Sequence, residues 1–79
     1  MEIYFTPYAE DTLAERSIDK ELVLKSIRDP DEIIDGKLGR KVAHKVIHKK
    51  LLRVIFEEEG KSYKVITVYF TSPQRYMKQ

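Results

Sequence analysis

The stretch LLRVIFEEEGKSYKVITVYF, residues 51–70, decides the fold of this 79-residue chain. Its two halves, Leu51–Glu57 and Ser62–Phe70, are rich in Val, Ile, Tyr and Phe, the residues that favour strands. Between them, Glu59-Gly60 is typical of a tight turn. The stretch therefore predicts a β-hairpin, and the rest of the chain has to pack around it.

Alternation along the first strand of this hairpin predicts which face is buried. Its even positions carry Leu52, Val54 and Phe56, which suit a face covered by helices. Arg53 falls on the opposite face, in the middle of the strand. Because an unpaired charge is costly to bury, Arg53 needs either a ligand or an acidic partner, Glu57 or another acid.

Two helices are predicted upstream of the hairpin. Thr6 is a good N-cap for the first, which should run to about Arg16. Asp19 is a good N-cap for the second. That helix should end near Asp29, since Pro30 disfavours helical geometry in the residue before it.

Three further segments are predicted to be strands. Glu2–Phe5 and Glu32–Asp35 are short β-prone runs. Arg40–His48 is ambiguous, because its apolar residues recur at helical spacing, but its β-branched residues and a following Lys49-Lys50 turn favour a strand. The order β-α-α-β-β-β-β predicts a single α+β domain over residues 1–79, an antiparallel sheet with two N-terminal helices packed on one face.

Charge is divided unevenly along the chain. Residues 1–35 hold ten acids and four bases, whereas residues 36–79 hold three acids and eleven bases. The stretch between Asp35 and Glu57 contains no acid and carries seven bases: Lys37, Arg40, Lys41, Lys45, Lys49, Lys50 and Arg53. This asymmetry favours a polyanionic partner such as nucleic acid. The alternative is that both halves are solvated faces of a lysine- and glutamate-rich domain.

Several classes of site are not expected. The chain has no cysteine, so neither disulfides nor thiolate zinc sites can form. On a strand, His44 and His48 would be about 13 Å apart, too far to share one metal ion. There is no Gly-rich phosphate loop and no Gly-x-Ser-x-Gly elbow. We therefore expect no metal and no cofactor. The chain start is no signal peptide and no apolar run could span a membrane, so a cytoplasmic protein is expected.

The residue types present suit RNA cleavage without a metal. In that reaction the 2′-hydroxyl attacks the adjacent phosphate, which requires a proton acceptor, cations beside the phosphate and a proton donor for the leaving 5′ oxygen. Arginine pairs with phosphate oxygens, and histidine, lysine and tyrosine can transfer protons. The chain offers these types at Arg40, Lys45, His48, Arg53, Tyr69, Arg75 and Tyr76. The alternatives are that His48 is an exposed turn residue, that Tyr69 is core, and that Tyr76 only packs the tail.

The chain also resembles a known family. The residues that carry the resemblance are Ala9 with Arg16-Ser17-Ile18, Asp29-Pro30, Leu52-Arg53-Val54-Ile55, Lys64–Tyr69, and Thr71-Ser72 with Arg75-Tyr76. On these residues it resembles the small prokaryotic family known as domain of unknown function 4258. That family is similar to the RelE/ParE-like toxin superfamily and to BrnT-like ribonuclease toxins. One departure is Tyr8, which stands where family members often have a histidine.

The resemblance implies a RelE-like fold and a toxin-like endoribonuclease that cleaves mRNA, free or on the ribosome, beside an acidic antitoxin. Carried over to this chain, the pattern implies catalytic roles for Lys45, His48, Arg53, Arg75 and Tyr76. The remaining cations and one aromatic residue are expected to bind RNA, namely Arg40, Lys41, Lys49, Lys50 and Tyr69. Two other functions are a non-catalytic RNA- or DNA-binding module and a protein-interaction domain, and the uncovered sheet also makes a homodimer plausible.

Overall fold

The computed structural model describes residues 2–76, which form a five-stranded sheet with two helices against one face. The strands are β1 (Glu2–Phe5), β2 (Glu32–Asp35), β3 (Lys41–Ile47), β4 (Lys50–Glu59) and β5 (Ser62–Thr71), and the helices are α1 (Pro7–Arg16) and α2 (Lys20–Arg28). This order of elements is the predicted one. The ends of the predicted domain 1–79 and of its tail, Met1 and residues 77–79, lie outside the described residues.

The sheet is mixed, with strand order β1-β5-β4-β3-β2. Strands β2 to β5 run antiparallel to their neighbours, but β1 pairs in parallel with β5, with Phe5 opposite Val65. The prediction of an antiparallel sheet is therefore wrong for this pair. A parallel pair cannot be joined by a hairpin, and here two helices and the other three strands separate β1 from its partner.

Both helices begin at the predicted caps. The Thr6 side chain accepts a hydrogen bond from the Ala9 N–H at 3.0 Å, and Asp19 accepts one from Glu21 N–H at 3.0 Å. These caps satisfy N–H groups that the first turn of a helix leaves without partners. No helix within residues 2–76 is long and apolar enough to cross a membrane.

The helices cover the predicted face of β4. Leu52, Val54 and Phe56 are buried, and they pack with Ala9 of α1 and Val23 of α2 in one apolar cluster. This confirms the expected alternation along the strand. The other sheet face, which carries Arg53 and is not covered by helices, is called the open face below.

A bulge in β5 determines which of its side chains reach the open face. The pairing with β4 shifts by one residue at Ile66. Because of this shift, Val65 and Val68 both lie in the core although they are three residues apart. Thr67 and Tyr69 consequently share the open face with Arg53, which lies opposite Tyr69.

Candidate functional site

The open face contains a cavity of about 640 Å³. Its wall includes Val42 of β3, Arg53 and Ile55 of β4, Thr67 and Tyr69 of β5, and Tyr76 from the tail. Lys37 and Arg40 line it from the loop that joins β2 to β3. The cavity therefore combines apolar, aromatic and cationic groups over the middle of the sheet.

Arg53 is the cation at the centre of this face. Its Nη1 lies 3.2 Å from Nε2 of His44, the residue opposite it on β3. Its Nε is buried and has no hydrogen-bond partner within the described part of the chain. The expected alternative, pairing with Glu57, does not occur, since that carboxylate binds Arg40 and Lys64 instead. Among residues 2–76, no carboxylate forms an ion pair with Arg53.

Tyr76 covers Arg53. Pro73–Arg75 form a single turn of 3₁₀ helix, which directs the chain back over the sheet. The centroid of the Tyr76 ring then lies 3.6 Å from the guanidinium carbon Cζ of Arg53, a close cation–π contact. The Tyr69 ring centroid lies 5.7 Å from the same carbon. Tyr76, a predicted site residue, thus lies over the open face.

The two tyrosine hydroxyls have different acidities. Interaction with the Tyr69 hydroxyl, and then with the Arg53 and Arg75 cations, lowers the pKa of Tyr76. Burial, and then interaction with the Tyr76 hydroxyl, raises the pKa of Tyr69. The Tyr76 hydroxyl therefore loses its proton at a lower pH than usual, whereas the Tyr69 hydroxyl beside it keeps its proton to a higher pH.

We expect this difference to appear in a pH titration of tyrosinate absorbance. Because the pKa of Tyr76 is lowered, the wild type should begin to ionise at a lower pH than Tyr76→Phe. The exposed Tyr8 on α1 provides a matched control, and Tyr8→Phe should leave the earliest step in place. An unchanged earliest step in Tyr76→Phe would show that the hydroxyl pair does not have this polarity.

His44 is a site residue that the sequence reasoning missed. It is fully buried, and its Nδ1 lies 2.7 Å from Oε2 of Glu32 on β2. Its ring also lies against Tyr76, with centroids 5.9 Å apart.

The position of the β3–β4 turn explains why His44 was missed. This turn is centred on His48-Lys49 rather than on the predicted Lys49-Lys50. A turn at the predicted place would have put Arg53 opposite Val46 instead of His44.

Two predicted catalytic residues lie away from Arg53. His48 is in the β3–β4 turn with a φ of 58°, exposed at the end of the hairpin. Lys45 points to the helix side of β3, as Ala43 does, and its Nζ donates to the Asp29 carbonyl at 2.8 Å. Neither residue is part of the group formed by Arg53, Tyr69 and Tyr76. Lys45 instead anchors the connection between α2 and β2.

The predicted RNA-binding cations are also dispersed. Arg40 lies at the cavity rim, where its Nε is 3.1 Å from Oε2 of Glu57. Lys41 pairs with Asp35 on β2. Lys49 and Lys50 line a separate cavity of about 420 Å³ at the far end of the hairpin. The cations expected to bind RNA therefore do not lie together, and the protein's own carboxylates neutralise Arg40 and Lys41.

Arg75 and Tyr69 are the two remaining residues that were predicted for the site, and each lies beside Tyr76 or Arg53. The Arg75 guanidinium contributes to the lowered pKa of Tyr76. Tyr69 lies directly opposite Arg53 across the β4–β5 pair. The structure thus brings together Arg53, Tyr69, Arg75 and Tyr76, adds His44 and Glu32, and leaves Lys45 and His48 outside.

Comparison with protein families matches residues 5–70 to a family described as a domain of unknown function, DUF4258. No curated protein and no solved structure matches the chain. The matched segment contains Glu32, His44, Arg53 and Tyr69 and ends before the tail that carries Tyr76. Since the match spans most of the chain, this protein belongs to the DUF4258 family.

Proposed function

We propose that this protein is a toxin-like endoribonuclease that cleaves mRNA without a metal ion, at a site centred on Arg53. The observation that supports the proposal most strongly is that the charge of Arg53 is not neutralised within residues 2–76. Arg53 lines a cavity, it forms no ion pair with a carboxylate of residues 2–76, and its buried Nε lacks an acceptor there. A phosphodiester supplies the anionic acceptor oxygens that an arginine fork matches.

The tyrosine pair supports a proton-transfer role. Tyr76, whose pKa is lowered, takes the proton of the 2′-hydroxyl as the 2′ oxygen forms a bond to phosphorus. The bond from phosphorus to the 5′ oxygen breaks, and Tyr69, whose pKa is raised, protonates the leaving oxygen. The proton then returns from Tyr76 to Tyr69, which restores both side chains. Arg53 stabilises the extra negative charge on the phosphate.

An exposed aromatic surface supports RNA rather than a small phosphate as the substrate. The Tyr76 ring stacks on Arg53 through one face, yet the residue is 40 % exposed. Its outer face is therefore available to stack on an unpaired base, the common way in which proteins hold single-stranded RNA. Arg40 and Lys37 at the rim would contact neighbouring phosphates.

As part of this proposal, we place the domain in the RelE/ParE-like toxin superfamily with an acidic antitoxin as partner. Two helices on one face of a sheet and an arginine under a tail aromatic support the first part. Lys49 and Lys50 support the second, because they are exposed and form no ion pair within residues 2–76. An acidic segment bound there would be held by charge complementarity.

The function is tested by incubating the purified protein with RNA in the presence of a metal chelator, both as free oligonucleotides and as ribosome-bound mRNA. We expect cleavage that leaves a 2′,3′-cyclic phosphate and a 5′-hydroxyl, identified by mapping the RNA ends. Tyr76→Phe removes the proton acceptor and should lower the rate by about 10²-fold or more. Tyr8→Phe should cleave like the wild type.

Two other results would reject an endoribonuclease. Salt-sensitive RNA binding with intact RNA would identify a non-catalytic module that uses the same face. Neither binding nor cleavage, in both forms of the substrate, would leave a protein-interaction domain as the function.

A further inference from the structure

The hydrogen bonds of His44 determine which of its ring nitrogens carries the proton. A guanidinium can only donate hydrogen bonds and a carboxylate can only accept them. Arg53 Nη1 lies 3.2 Å from Nε2, and Glu32 Oε2 lies 2.7 Å from Nδ1. His44 must therefore accept at Nε2 and donate from Nδ1, which makes it a neutral ring with its proton on Nδ1.

We propose that His44, oriented by Glu32, is the positioning residue that holds the Arg53 guanidinium ready for a phosphodiester. The choice of a phosphodiester as the ligand rests on the proposed function. Two contacts fix the guanidinium, one to His44 Nε2 and one to the Tyr76 ring 3.6 Å from Cζ. A donor fork held in place loses less conformational freedom on binding than a free arginine does.

The chemistry of His44, the residue opposite Arg53, indicates that it positions the arginine and does not merely fill space. An acid at position 44 would form an ion pair and cancel the positive charge that a phosphate requires. A neutral imidazole accepts a hydrogen bond from Arg53 and leaves its charge intact. The acid is placed one step away, at Glu32, where it binds the far nitrogen of the ring. The arrangement thus orients the cation without pairing it.

Removal of the acceptor should release Arg53. In His44→Phe the ring volume is kept but Nη1 loses its partner, and a hydrogen bond that involves a charged group accounts for about a ten- to hundredfold difference in kcat/KM. His44→Gln retains an acceptor that reaches Arg53 and should recover most of this loss. Glu32→Ala leaves the ring in place but free to change tautomer, and it should fall between the two.

The test combines nitrogen NMR of the wild type with assays of the variants. In spectra of protein labelled with ¹⁵N, we expect a protonated Nδ1, an unprotonated Nε2 and a scalar coupling from Nε2 to Arg53 Nη1. The shift of the Arg53 Nε–H signal on titration with inorganic phosphate measures anion affinity without RNA. His44→Phe should weaken phosphate binding and lower kcat/KM for RNA, whereas His44→Gln should retain both.

A proton on Nε2 in the wild type would overturn the inference, as would phosphate affinity in His44→Phe equal to that of the wild type. If His44→Phe does not fold, Glu32→Ala and the tautomer measurement still test the inference. We expect Glu32→Ala to fold, because Glu32 lies on the short edge strand β2 and its side chain is partly exposed. Wild type that shows the expected tautomer and His44-dependent phosphate binding, but no RNA cleavage, would reject the proposed function and support the positioning role.

Discussion

Replacement of Arg53 by alanine is expected to lower the rate of RNA cleavage by about 10²–10³-fold, the usual effect of removing a main electrostatic contact to a transition state. Among residues 2–76, Arg53 is the cation in the open-face cavity that is both buried at Nε and free of any ion pair with a carboxylate. The side chain therefore has its charge available for a ligand. Cleavage assays on purified protein measure the effect, and growth after induced expression measures it in cells.

Three matched variants separate the role of Arg53 from loss of charge or loss of fold. Lys61→Ala makes the same change in net charge in the exposed β4–β5 turn and should cleave normally. Arg53→Lys keeps the charge but loses the planar fork, so it should be intermediate. Arg53→Met keeps most of the side-chain volume without the charge, so it should be inactive although the fold is retained. Equal cleavage by Arg53→Ala and Lys61→Ala would contradict the proposed site.

Replacement of Phe56 by alanine is expected to cost about 3–5 kcal/mol in the free energy of unfolding. Phe56 is 1 % exposed, lies between the sheet and the helices, and has its ring centroid 4.8 Å from that of Tyr63. A chain of this length has a total stability of only about 4–12 kcal/mol. The substitution should therefore leave a large fraction of the protein unfolded, as measured by urea denaturation.

An exposed residue on the same strand provides the control for this effect. Glu58→Ala lies two positions along the same strand, where the side chain is exposed, and should change stability by less than about 0.5 kcal/mol. A loss below about 1 kcal/mol in Phe56→Ala would mean that the core does not have the density of packing typical of folded proteins.

The helices and the buried face of the sheet could be predicted because their signals are local. Capping depends on a side chain and the N–H two or three residues later, as at Thr6 and Asp19. Burial in β4 depends on alternation within a single strand, which places Phe56 inward and Arg53 outward. None of these signals requires knowledge of which strands are neighbours.

The composition of the site depended on non-local pairing. A shift of the β3–β4 turn by one residue changes the residue opposite Arg53 by two positions, which brings His44 rather than Val46 to it. Lys45 was assigned to the site as a cation on a central strand, without regard to the alternation that points it toward the helices with Ala43. Sequence patterns that rank residues by chemical type cannot detect either error.

Residue order alone was sufficient for the element order and for the arginine on the uncovered side of β4, because backbone periodicity and capping act over a few residues. The parallel β1–β5 pair, the bulge at Ile66 and the contact of Tyr76 with Arg53 were decided by tertiary structure. Each of these features either joins segments that are distant in the chain or sets the register of a strand, and local geometry determines neither. The Glu32–His44–Arg53 series of contacts belongs to the same class, since it spans three strands and exists only when their registers agree.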